Sequence, residues 1–204
     1  MTTATPRIAI NTTAKSPGYS LPHKMGRALW APMWLMSLMA FAIGFILAAA
    51  RSSIVADFGV VDAGAQRLSH LVPAVMFIGF LAVFAAVSFS IARILGALRK
   101  GGGDVQETAG SEVETLKMAA TARVFMGMMV MGMVLIAVMV VLHFVAAGNV
   151  GTWSAETLES WAISLEGFRR LGVAMYLFGI AFGLGTIIAV LHYQSGRIRD
   201  LAGV

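Results

Sequence analysis

Cysteine is absent from the 204-residue chain. That excludes disulfides, thiolate metal sites, covalent c-type haem attachment and a thiol nucleophile. Charge is also scarce: Asp, Glu, Lys and Arg make up 12% of residues, against about 25% in soluble domains. None of the four occurs in Ala31–Ala50, Leu71–Ala92, Val124–Ala155 or Leu171–Gly196. Ion- and proton-coupled transporters bury a charged group at mid-membrane depth, so its absence speaks against that class. Broken helices and paired halves, the other marks of secondary transporters, do not appear. There is no H-E-x-x-H, no G-x-S-x-G and no buried carboxylate pair, so metal-assisted or serine hydrolysis has no footing. No nucleic-acid module is recognisable either.

What is present is apolar length. Hydrophobic residues reach 58% and the mean hydropathy is +0.82. A helix needs about 20 apolar residues to cross the hydrocarbon core, and each uncharged run supplies them. The sequence therefore predicts an all-α integral membrane protein, a four-transmembrane-helix bundle with spans near 29–50, 71–97, 119–147 and 171–193. Residues 1–28 form a polar tail without the apolar h-region of a signal peptide, and 194–204 form a second tail. Lys and Arg divide unevenly about this plan. Arg7, Lys15, Lys24, Arg27, Arg93, Arg99, Lys100, Lys117, Arg123, Arg197 and Arg199 fall on one side; Arg51, Arg67, Arg169 and Arg170 fall on the other. The positive-inside rule then makes both termini cytoplasmic and points to a bacterial inner membrane. The net charge of +5 is accounted for by topology and anionic lipid.

The connections carry their own signals. Gly101–Gly103 is expected to stop helix 2 and open a flexible cytoplasmic loop, 98–118. Ser111 and Glu114 have the spacing of a capping box that would start helix 3 early. In the outer loop 148–170, Leu158, Trp161, Ala162, Leu165 and Phe168 recur at helical spacing. This predicts a short amphipathic interfacial helix anchored by Trp153 and Trp161. Proline is tolerated at a helix start, so Pro73 marks the beginning of helix 2, with room for one helical turn before it.

Projected at 100° per residue, three spans show small-residue faces: Gly44 in helix 1, Gly79 in helix 2, and Gly172, Gly179 and Gly183 in helix 4. Small residues let backbones approach closely where lipid removes the hydrophobic drive between helices. Helix 3 shows no such groove. Six of its residues between 124 and 144 are methionine, and the same projection puts Met126, Met129 and Met133 opposite Met128, Met131 and Met139. Donors that diverge cannot share a metal, whereas flexible thioethers fill irregular gaps.

The histidines are the remaining reactive groups. His70 and His143 fall near the outer ends of helices 2 and 3; His23 and His192 fall near the inner ends of helices 1 and 4. Two histidines at one depth on different helices are what a bis-histidine haem requires. The macrocycle also needs small neighbours, and Gly79 points away from His70 while Gly132 lies about 16 Å deeper than His143. Histidines that merely sit at the membrane boundary explain the pattern without a cofactor. Arg93, Lys100, Lys117 and Arg123 gather at the cytoplasmic interface, where anionic headgroups would meet them.

The expectation is a non-catalytic membrane protein without a cofactor, acting as structural, anchoring or accessory subunit of a larger membrane complex, or as a homo-oligomer. The alternative is a b-type cytochrome subunit holding haem b between His70 and His143 and passing electrons between a periplasmic partner and quinone.

Overall fold

The computed structural model describes residues 10–117 and 120–203. Arg7 and residue 119, the expected start of the third span, lie outside them. Four long helices dominate: α1 (Leu21–Phe58), α2 (Ala63–Thr108), α3 (Ala120–Gly148) and α4 (Ala155–Ala202). Each is long and apolar enough to cross a membrane. At about 1.5 Å per residue, α2 and α4 are roughly twice as long as the hydrocarbon core is thick. Two short strands, β1 (Ile10–Thr13) and β2 (Val113–Leu116), pair antiparallel.

Every helix except α3 outruns its expected span, and the reasons are local. The helix α1 starts at Leu21, with Pro22 in its first turn, where a missing N–H costs nothing. It ends where Gly59 takes φ +84°, a conformation glycine adopts without strain. Asp62 caps α2 by accepting from the Gly64 and Ala65 amides at 2.7 and 3.1 Å. Pro73 therefore lies inside α2 and not at its start.

The expected break at Gly101–Gly103 does not occur. The helix runs through all three glycines to Thr108. A Cβ on Gly102 would overlap the Gln194 side chain, and one on Gly103 would meet Pro17 and Ser16 at 2.8 Å. Glycine costs a helix about 1 kcal/mol relative to alanine, and the close contacts it allows outweigh that here. The 98–118 segment is thus mostly ordered secondary structure. Ser111 and Glu114 do not cap helix 3: Glu114 belongs to β2, and Ser111 Oγ donates to the Gln106 carbonyl at 3.0 Å.

The loop between α3 and α4 is also shorter than expected. Helix begins at Ala155, capped by Ser154, whose Oγ accepts from the Thr157 amide at 3.2 Å. It continues without interruption into the fourth span, so the Leu158–Phe168 periodicity belongs to α4 itself. Trp153 and Trp161 pack together, ring centres 5.0 Å apart.

The core is a three-helix assembly of α2, α3 and α4, and α1 packs chiefly along α2. Buried positions on α3 run Phe125, Met129, Gly132, Ile136, Met139, His143 and Ala146, alternating steps of four and three. That is the 3.5-residue repeat of supercoiled helices. Helices α2 and α4 run parallel in fixed register: Phe77 meets Arg169, Phe84 stacks on Tyr176, and Ile91 fills the space over Gly183. These pairs are spaced by sevens along both helices.

The small-residue positions lie at these contacts. Gly44 faces Met76 and Gly79 faces the Phe41 ring, so α1 and α2 each seat a side chain of the other. Gly172 faces Ile136, Gly179 faces Met128 and Met129, and Gly183 faces Phe125 as well as Ile91. The helix α3 does offer one close approach: Gly132 abuts Tyr176 and the Gly172 carbonyl. The methionine grouping changes too. Met129 and Met139 are both buried in the seam, while Met126 and Met131 are exposed. Projection at 100° per residue separates 129 from 139, but a supercoiled seam unites them.

Candidate functional site

His70 and His143 occupy the outermost layer of this seam. His70 stands one heptad before Phe77 on α2, and His143 one heptad beyond Ile136 on α3. Their rings face each other with centres 5.8 Å apart and planes inclined by 48°. Exposure is 2% for His70 and 3% for His143. The Nδ1 of His70 and both ring nitrogens of His143 are buried without a hydrogen-bond partner.

An unpartnered buried polar group costs about 1–3 kcal/mol. Each such group in a folded chain calls for a reason, among them an ion or ligand. Two imidazoles on one metal atom place their ring centres about 6 Å apart, from a bond of about 2 Å and about 1 Å more from nitrogen to ring centre. The observed separation matches that distance. Small residues flank both rings: Ala74 one turn along from His70, and Ala146 and Ala147 one turn along from His143, all at 3% exposure or less. In donor type and separation, with small side chains beside each ring, the pair suits a metal-bearing group that brings its own further ligands, such as an iron tetrapyrrole. No cluster of three or more His, Cys, Asp or Glu suited to a bare metal ion occurs among the described residues.

Arg169 closes the inner edge of the layer. Its guanidinium lies over the Phe77 ring, 4.6 Å from the centroid, within electrostatic reach of His143. Glu166 pairs with Arg169 and also with Arg170, the latter at 2.8 Å. A cavity of about 330 Å³ opens between Phe77 and Arg169, lined further by Glu166, Val173 and Leu177.

The other histidines are not brought together. His23 is buried, stacks on Tyr19 and bonds through Nδ1 to the Arg93 carbonyl at 2.9 Å. His192 is exposed on α4, and α1 does not pack against that helix.

The basic residues of the opposite end separate in the same way. Lys100 is engaged within the protein: its Nζ donates to both Asp104 oxygens at 2.8 and 2.9 Å and lies over the Tyr19 ring. That bond holds the Asp104 carboxyl below the usual carboxylate range. Arg93 is exposed, with its guanidinium near Trp30. Lys117 and Arg123 are exposed. Lys117 and Arg123 therefore present the freest cations of the four to a headgroup.

Two features escaped the sequence reading. Gln106 ties α2 to β2, donating to the Gly102 and Glu114 carbonyls at 3.1 Å and accepting from the Glu114 amide at 2.8 Å. Tyr176 is fully buried, its hydroxyl unpartnered. Neither carries a sequence signal; a lone glutamine or tyrosine is common on any helix. No protein-family model, curated protein or solved structure matches the chain.

Proposed function

We propose that the chain is an integral membrane subunit whose reactive element is a bis-imidazole site at the outer end of its helical core. The site is of the kind that holds haem b for electron transfer. The observation that carries this reading is the His70–His143 pair: two buried rings on different helices, at metal-bridging separation, with three nitrogens unpartnered. The sequence alone favoured boundary histidines, because it offered no means of knowing that the rings meet.

His70 and His143 would each supply one nitrogen to hold the group, and their helices fix the distance between donors. Ala74, Ala146 and Ala147 are the small side chains beside the rings. Phe77, Val140 and Ile136 on the inner side keep water from the layer. When bound, a haem held by these residues would supply one-electron chemistry between a partner at the outer surface and a quinone in the bilayer. With net basic charge on the opposite end, the positive-inside rule puts this layer at the outer face and both termini in the cytoplasm.

The test is haem uptake by protein expressed with haem supplied. The wild type should show a Soret band, lost in His70→Ala and in His143→Ala and retained in the exposed-site variant His192→Ala. A wild type that takes up no haem overturns the reading.

A second reading keeps the chain as a purely structural or anchoring subunit, and one observation favours it. Helix α1 packs chiefly on α2 and leaves Leu35, Leu38, Phe45 and Ile46 each more than 60% exposed. That face suits lipid or a helix of another subunit. Co-purification of a second chain with haem-free protein from mild detergent would support it, and a solitary monomer would count against it.

A further inference from the structure

We propose that Arg169 selects the cofactor by binding a carboxylate of an iron tetrapyrrole. This rests on the bis-imidazole reading and names the class of group that the site accepts.

The charges around the two rings carry the argument. Arg169 projects from the seam face of α4, its guanidinium carbon 4.6 Å from the Phe77 ring centre and its side chain 21% exposed. Glu166 is shared between Arg169 and Arg170, so one anion answers two cations and positive charge is left over beside the imidazoles. A bare divalent ion at the pair would gain two neutral nitrogens and no carboxylate, and it would meet that surplus charge at short range. Like charges in a partly buried layer repel. The group that satisfies the pair must therefore bring its own negative charge and complete the metal's equatorial coordination. A tetrapyrrole bearing ionised carboxylates does both.

The geometry provides a place for such a carboxylate. The cavity of about 330 Å³ beside Phe77 and Arg169 also borders Glu166 and Arg170. A carboxylate entering there would take the Arg169 guanidinium in the two-point geometry that planar forks favour. Glu166 would keep Arg170, to which it is already bonded at 2.8 Å. The exchange moves no proton and breaks no covalent bond; one carboxylate replaces another on the same cation.

The probes are hemin and hemin dimethyl ester, titrated into the purified full-length protein and followed at the Soret band. The ester keeps the iron and the macrocycle but has no ionised carboxylate. The wild type is expected to bind hemin about ten-fold more tightly than the ester, the usual scale for losing a supporting contact around a metal centre. Arg169→Gln should weaken hemin and leave the ester unchanged, which also shows that the variant folds. Arg169→Lys should retain part of the preference. Equal affinity of the wild type for the two probes, or an undiminished preference in Arg169→Gln, overturns the assignment and leaves the histidine site standing. A wild type that binds neither probe overturns both.

Discussion

Gly26 makes the tightest demand of any residue on the contact between α1 and α2. A Cβ there would overlap the Phe89 carbonyl oxygen and crowd Arg93, and backbone cannot step aside as a side chain can. Gly26→Ala should cost about 1–3 kcal/mol, the range for overpacking. Gly127 is the control: it is helical with nothing within 4 Å of its would-be Cβ. Gly127→Ala should gain up to about 1 kcal/mol from helix propensity. Thermal midpoints in detergent would show the opposite signs. At His143, both ring nitrogens lack partners, so removing the ring removes a cost. His143→Leu should raise the midpoint of the haem-free protein while abolishing haem uptake; a fall in stability would mean the ring serves packing alone. The sequence singles out Gly44, Gly79, Gly172, Gly179 and Gly183 but passes over Gly26 and Gly132, which make comparably close approaches. The small neighbours of the histidines were not legible either, since a search for glycine passes over Ala74 and Ala146 among the many alanines of the spans.

At the scale of elements, the existence and order of four apolar helices were legible from charge-free runs alone. Their ends were not. Gly101–Gly103 reads as a helix stop, yet contacts from Gln194 and Ser16 hold it helical, and those partners lie far away in sequence. The heptad seam was equally hidden. In a soluble helix the buried face stands out against polar residues; here Val130, Met131 and Val134 on the outward face are exposed and just as apolar. The strand β2 depends on pairing with β1 and on Gln106, through two hydrogen bonds to Glu114. Gln106→Ala should strip those bonds and loosen 109–117, so trypsin should cut after Lys117 several-fold faster than in the wild type. An unchanged rate would mean that strand pairing alone holds the segment.

For the whole molecule, β1, β2 and the end of α4 meet at one end of the bundle, where Arg197 lies 3.4 Å from Glu114. The histidine layer lies at the other end. Because the chain has no cysteine, single introduced thiols report on each end separately. Thr108→Cys should be labelled by an impermeant maleimide only in inside-out vesicles, and Thr152→Cys only in right-side-out vesicles or intact cells. The reverse pattern would invert the topology and put the histidine layer in the cytoplasm. The peripheral place of α1, packed chiefly on α2, could not be read from its sequence, because its small-residue face resembles those of the core helices.

The central claim is that His70 and His143 share one metal. The most direct measurement is the reduced-minus-oxidised spectrum of the wild type purified gently from haem-replete membranes. The account predicts a six-coordinate, low-spin b-type signature in proportion to protein, the state that two imidazole ligands impose on haem iron. A spectrum without haem, or a five-coordinate signature that persists in His143→Ala, would contradict it.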